Sequence, residues 1–175
     1  MENQSAQPKN VMITYGVILG VLSVIFALIY YVLGKTYEQD SIRSILSFVL
    51  SAVVIFLGLK KFKELNNGYL TIGQAIKTGL GIAMISGLIS VIYTVLFMTV
   101  IEPEYVNNVV EVSRQAILEK YPDFSDEQLE QALDMTRKFS SPGMMAGIIL
   151  LFSAIFGFII SLIEGLILKN NPETV

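Results

Sequence analysis

The 175-residue chain contains no cysteine and no histidine, and only 15% of its residues are charged. Cysteine and histidine supply most ligands for zinc, haem and iron–sulfur centres, so redox and zinc chemistry have almost no raw material. Thiol catalysis and a serine–histidine–aspartate triad are excluded outright. No disulfide is available to indicate a redox compartment. Basic residues are few as well, 12 against 15 acidic ones, for a net charge of −3. No basic block is long enough to bind nucleic acid by counterion release. What the chain does have is apolar residues, 53% of the total, with a mean hydropathy of +0.63. Soluble domains average roughly 45–50% apolar and about 25% charged residues. The imbalance excludes a simple soluble globule and a disordered chain, and it points to a single-domain membrane protein.

Four uncharged runs are long enough to matter. They hold 25 residues between Lys9 and Lys35, 16 between Arg43 and Lys60, 24 between Lys77 and Glu102, and 25 between Lys138 and Glu164. A spanning helix needs about 20 apolar residues. The expected spans are therefore 11–33, 42–59, 79–101 and 143–166, in an all-α integral membrane protein. The second run reaches only about 24 Å as a helix. It crosses if Arg43 and Lys60 snorkel, and is otherwise re-entrant or interfacial. The first run exceeds a signal-peptide core and is followed by Tyr30-Tyr31-Val32-Leu33-Gly34 rather than small residues, so it reads as an uncleaved anchor. Tyr30, Tyr31 and Tyr37 suit an interfacial aromatic belt.

Four spans put both termini on one side. Lysine and arginine divide evenly between the two sides, six and six, but Lys60, Lys61, Lys63 and Lys77 crowd one short loop. The positive-inside rule then favours cytoplasmic termini, with the long loop after the third span facing outward.

The short loop has its own signals. Asn67-Gly68 marks a turn, since both residues tolerate positive φ. Thr71 and Gln74 form a capping box in composition, so the third helix starts at Ile72, ahead of the hydrocarbon, with Lys77 snorkelling. A functional reading makes Gly73 and Gln74 a polar site at the membrane surface, whereas cap chemistry alone already explains them. The run Gly68-Tyr69-Leu70-Thr71-Ile72-Gly73-Gln74-Ala75-Ile76-Lys77-Thr78-Gly79 resembles the signature of domain-of-unknown-function family 4199, small four-span bacterial proteins, mostly from Bacteroidetes. The resemblance extends to the layout of nearly the whole chain. It implies a multi-pass protein of the bacterial cytoplasmic (inner) membrane and marks Gly68, Tyr69, Thr71, Gly73, Gln74 and Lys77 as candidate motif or interface residues. It implies no activity.

The loop 102–140 is acidic and patterned. Val106, Val109, Val110, Ser113, Ile117 and Tyr121 recur at helical steps, and Tyr121-Pro122 ends the stripe. A second helix follows, with Ser125 as N-cap, Gln128 completing a capping box, and Phe124 and Leu129 at the staple positions. Asp126 and Glu127 open this helix and Arg137 and Lys138 close it, as the helix dipole prefers. The result is an amphipathic helical hairpin of two helices, each about four turns long. Its apolar stripes must cover each other or meet a protein partner, because an acidic face disfavours anionic lipid. The acidic residues lack the glycine and spacing of a calcium loop, so no metal or other cofactor is expected.

Small residues recur along the spans: Gly16 and Gly20; Gly79, Ala83 and Gly87 with Ser86 and Ser90; Gly143, Gly147, Ser153, Gly157, Ser161 and Gly165. Such spacing lets helices approach closely in lipid, either within one chain or between copies in a homo-oligomer. Glu164 is the candidate intramembrane polar residue. An acid in a span suggests proton or cation handling, but Lys169 follows so closely that a carboxylate snorkelling to the interface is expected. The resulting expectation is a non-enzymatic membrane protein, an accessory or scaffold subunit that contacts a partner through 102–140. A small oligomeric transporter or channel is the alternative, weakened by the scarcity of polar groups at mid-membrane.

Overall fold

The structure is a computed structural model that describes residues 8–37 and 41–170. Six helices follow in order: α1 (Pro8–Val32), α2 (Ser41–Leu65), α3 (Ile72–Leu96), α4 (Tyr105–Lys120), α5 (Asp126–Phe139) and α6 (Pro142–Leu168). A π-helical turn, Phe97–Ile101, prolongs α3. No strand occurs among the described residues. Four of the helices are long and apolar enough to cross a membrane: α1, α2, α3 with its π turn, and α6. The short second run is the middle of a 25-residue unbroken helix, about 37 Å long.

α3 is the central helix, packed along α1 on one side and α6 on the other, with α2 touching all three. The α3–α6 contact is antiparallel and built from small residues in register. Ala75 meets Gly165, Gly79 meets Ser161, Ala83 meets Gly157, and Gly87 meets Ser153. A Cβ added to Gly165 would stand 2.7 Å from that of Ala75, and one on Gly87 would stand 2.9 Å from that of Ser153. Both are closer than real Cβ atoms come, so the backbones approach because side chains are missing. In lipid that close approach is the main source of helix association. The α1–α3 contact is parallel and follows a second rule, in which glycine receives a larger residue. Gly16 takes Ile85, Gly20 takes Ile89, and Gly81 takes Met12. Gly143 and Gly147, the remaining pair on α6, have open space above them and take no part in this packing.

The end of the bundle that carries the two termini is dense. Leu59, Leu70, Ala75 and Ile82 are wholly buried there, with Ile55 and Phe62 beside them. The opposite end carries the α4–α5 hairpin. Val110, Leu129 and Leu133 bury against one another with Ile117, so the two apolar stripes cover each other. Ser125 caps α5 as expected, accepting from the Gln128 amide at 3.3 Å while the Gln128 side chain accepts from the Ser125 amide at 2.9 Å. Phe124 stacks on Tyr121, with ring centroids 4.9 Å apart.

Candidate functional site

The motif residues build a joint. Asn67 and Gly68 both have positive φ, 55° and 84°, and turn the chain from α2 into α3. Thr71 and Gln74 make the reciprocal capping box that starts α3 at Ile72. Between turn and cap, Leu70 exchanges two 2.9 Å backbone hydrogen bonds with Asn170, just past α6. The Asn170 side chain donates to the Gly68 carbonyl at 3.0 Å, and Lys63 donates to the Leu168 carbonyl at 2.9 Å. The motif therefore ties together the ends of α2, α3 and α6. Tyr69, Gly73 and Lys77 lie on the surface of this joint. Gly73 has negative φ and no atom within reach of an added Cβ, so neither conformation nor packing in this chain demands glycine there.

Glu164 does not reach the surface of the bundle. It is only 9% exposed, and its Oε2 has no hydrogen-bond partner. The snorkelling expectation fails because residue 164 falls on the α6 face turned inward, next to Gly165 in the close contact with α3.

The most site-like feature lies at the opposite end, where the helices separate. A cavity of about 590 Å³ opens between α2 and α6, with α1 and α3 behind it. Seven serines line it: Ser23 of α1, Ser44, Ser47 and Ser51 of α2, Ser86 and Ser90 of α3, and Ser153 of α6. A serine inside a helix usually returns its hydroxyl to the carbonyl four residues back. Ser51 does so, at 2.9 Å from the Ser47 carbonyl, and Ser161, below the cavity, does so at 2.6 Å from that of Gly157. Among the described residues, the other six lining hydroxyls have no protein partner and remain available to an occupant. The floor is apolar, formed by Ile55, Ala83 and Ile160.

Arg43 stands at the mouth. A smaller void of about 200 Å³ adjoins the cavity and shares Ser23, Arg43 and Ser90 with it. The Arg43 guanidinium donates to the Thr36 carbonyl at 3.5 Å and lies 4.9 Å from the centre of the Tyr30 ring. Aromatic rings surround the smaller void. Phe97, on the π turn, meets Tyr31 and Tyr105 edge-on, with centroids 5.0 and 5.8 Å away. Tyr31 donates to Glu102 at 3.1 Å, and Asn108 donates to both Glu102 and the Tyr37 hydroxyl. These bonds hold the start of α4 over the top of the bundle. Burial raises the Tyr105 phenol above its ordinary value.

The comparison with family models bears on nearly the whole chain. The model described as a protein of unknown function, DUF4199, matches residues 14–170. The chain belongs to the DUF4199 family. No curated protein and no solved structure matches it. The matched region of this DUF4199 chain ends at Asn170, the residue that clasps Leu70, and it contains the whole cavity.

The scarcity of polar groups at mid-membrane, used above against a transport role, is corrected by the seven converging hydroxyls. The signal was present as Ser41, Ser44, Ser47 and Ser51, spaced by three or four residues along one face of α2. Counting charges alone passes over it, because serine is uncharged and is also common as a small packing residue.

Proposed function

We propose that this DUF4199 protein is a non-enzymatic membrane protein that binds a small molecule inside its helix bundle. The observation that carries the reading is the serine-lined cavity with unengaged hydroxyls. Its size lies within the roughly 300–1,000 Å³ of ligand sites, and a polar lining inside a membrane bundle marks a binding or transport path. Among its described lining residues there is no nucleophile–base pair. The accessory-subunit reading through 102–140 has less support, since the hairpin's stripes already cover each other and leave a solvated acidic face. A bound molecule retained by the wild type in native mass spectrometry from mild detergent, and lost from Ser47→Phe, would support the ligand reading. Identical spectra from the two proteins would end it.

We also propose a bacterial inner-membrane location, with cytoplasmic termini and the cavity mouth facing outward. Because the chain lacks cysteine, a single cysteine at Gln128 or Asn67 reports topology directly. An impermeant maleimide on intact cells should label the former only, and labelling of the latter only would invert the assignment.

A further inference from the structure

We infer, resting on that reading of the cavity, that the occupant is an anionic amphiphile whose single carboxylate or phosphate head sits at Arg43 and whose apolar chain lies between α2 and α6. The charge argument comes first. Among the described residues, Arg43 is the one charged side chain in the wall of either void, and no carboxylate of theirs lines them. The residue is half-buried and forms no ion pair among the described residues, and its guanidinium makes a single long bond to a carbonyl and lies over a ring face. A partly buried cation is costly unless an anion pairs with it, and no described residue supplies one. The planar fork of arginine is matched by a carboxylate or phosphate, which accepts two parallel bonds. Glu102, at the same end, is engaged by Tyr31 and Asn108 and lies in neither wall. A cationic ligand would meet Arg43 with no acid among the described lining residues to receive it.

The tail argument is independent of charge. On the outer side of the cavity Phe48 and Phe156 meet edge-on across the α2–α6 gap, with centroids 6.0 Å apart. Both are nearly half exposed, as is Phe152, which stacks on Phe156. In a bilayer these rings face acyl chains, so the gap is a lateral entrance from lipid. The cavity extends inward from Arg43 to Ile55, about 18 Å along α2. That path is lined by hydroxyls and by rings and aliphatic side chains together. A head alone would leave the apolar depth unfilled.

The test uses the full chain in maltoside detergent and a fluorescent dansyl-undecanoic acid, with its methyl ester, dodecyl phosphate and inorganic phosphate as comparators. The acid should bind about tenfold or more tightly than the ester, as expected for a charge-assisted bidentate pair. Dodecyl phosphate should displace it, and inorganic phosphate should not at the same concentration. Arg43→Gln should weaken the acid about tenfold while leaving the ester unchanged, and Arg43→Lys should recover part of the loss. Ester binding by Arg43→Gln certifies that variant's fold; if the variant does not fold, the acid-to-ester ratio in the wild type decides. Equal binding of acid and ester would overturn the anionic head and leave the cavity reading standing. Displacement by inorganic phosphate would overturn the tail. Failure of every chain-bearing probe to bind the wild type would overturn the cavity reading, and this inference with it.

Discussion

The two ends of this bundle handle polar residues in opposite ways. Toward the termini, Ser161 is wholly buried, faces Gly79 and spends its hydroxyl on its own helix. Toward the hairpin, Ser86 and Ser90 of α3 face a void and, among the described residues, their hydroxyls have no partner. Both sets have the same chemistry and sit on the same pair of packed helices. The difference lies in the third helix: α3 and α6 stay packed at both levels, through Gly79–Ser161 and Gly87–Ser153, but beside Ser86, Ser90 and Ser153 a void lies between them and Ser44, Ser47 and Phe48 of α2. A hydroxyl in a membrane helix is therefore a packing residue or a binding residue according to what lies across from it.

That contrast is open to direct attack. The largest effect belongs to the closed end. Gly157→Leu must displace Ala83 and the α3 backbone, and should cost about 3 kcal/mol, read as a lower midpoint in thermal unfolding in detergent. A wild-type midpoint would mean the close approach is not what holds the helices. Next comes a matched pair. Ser161→Leu should destabilise by about 2 kcal/mol through overpacking. Ser47→Leu, facing the void, should change stability by less than about 0.5 kcal/mol. Equal losses would erase the distinction between the two ends. Smaller again is Ser125→Ala, which removes the α5 cap and should cost about 1 kcal/mol, seen as faster amide exchange confined to the hairpin. Exchange that spread into α3 or α6 would show that the hairpin is not a separate unit. The smallest effect concerns Glu164, at the far end from Arg43. Glu164→Gln should leave affinity for the anionic probe within about twofold, as expected for distant sites. A large loss would join the two ends into one functional path.

Much of the architecture was legible in the chain because it follows from periodic signals. The capping boxes at Thr71 and Ser125, the break at Tyr121-Pro122 and the start of α3 at Ile72 all rest on local backbone chemistry, which needs no knowledge of neighbours. The register of α3 on α6 was half legible. The four-residue spacing of small residues stood in both helices, but nothing local says that Gly79 opposes Ser161. The cavity was not legible at all, since a void is a property of separation between helices. Glu164 was misjudged for a related reason. Its distance from Lys169 along the chain measures depth, whereas its burial depends on the side of α6 it occupies. The motif around Gly68 proved to be a tie between helix ends, and its link to Asn170 joins segments a hundred residues apart in sequence.

The register between α3 and α6 also has a consequence for the order in which the protein is made. Synthesis proceeds from the N-terminus, so α3 is complete at residue 101 while its main partner ends at residue 168. At about 5–20 residues per second, roughly 3 to 13 seconds pass between the two. During that interval the groove along Gly79, Ala83 and Gly87 has no α6 to fill it, while the polar hairpin is still being made. Biogenesis of this protein therefore includes a stage with one finished, self-adhesive helix face open to the membrane. The clasp at Leu70 and Asn170 can close only after the last span has arrived, which makes it the final stitch of assembly.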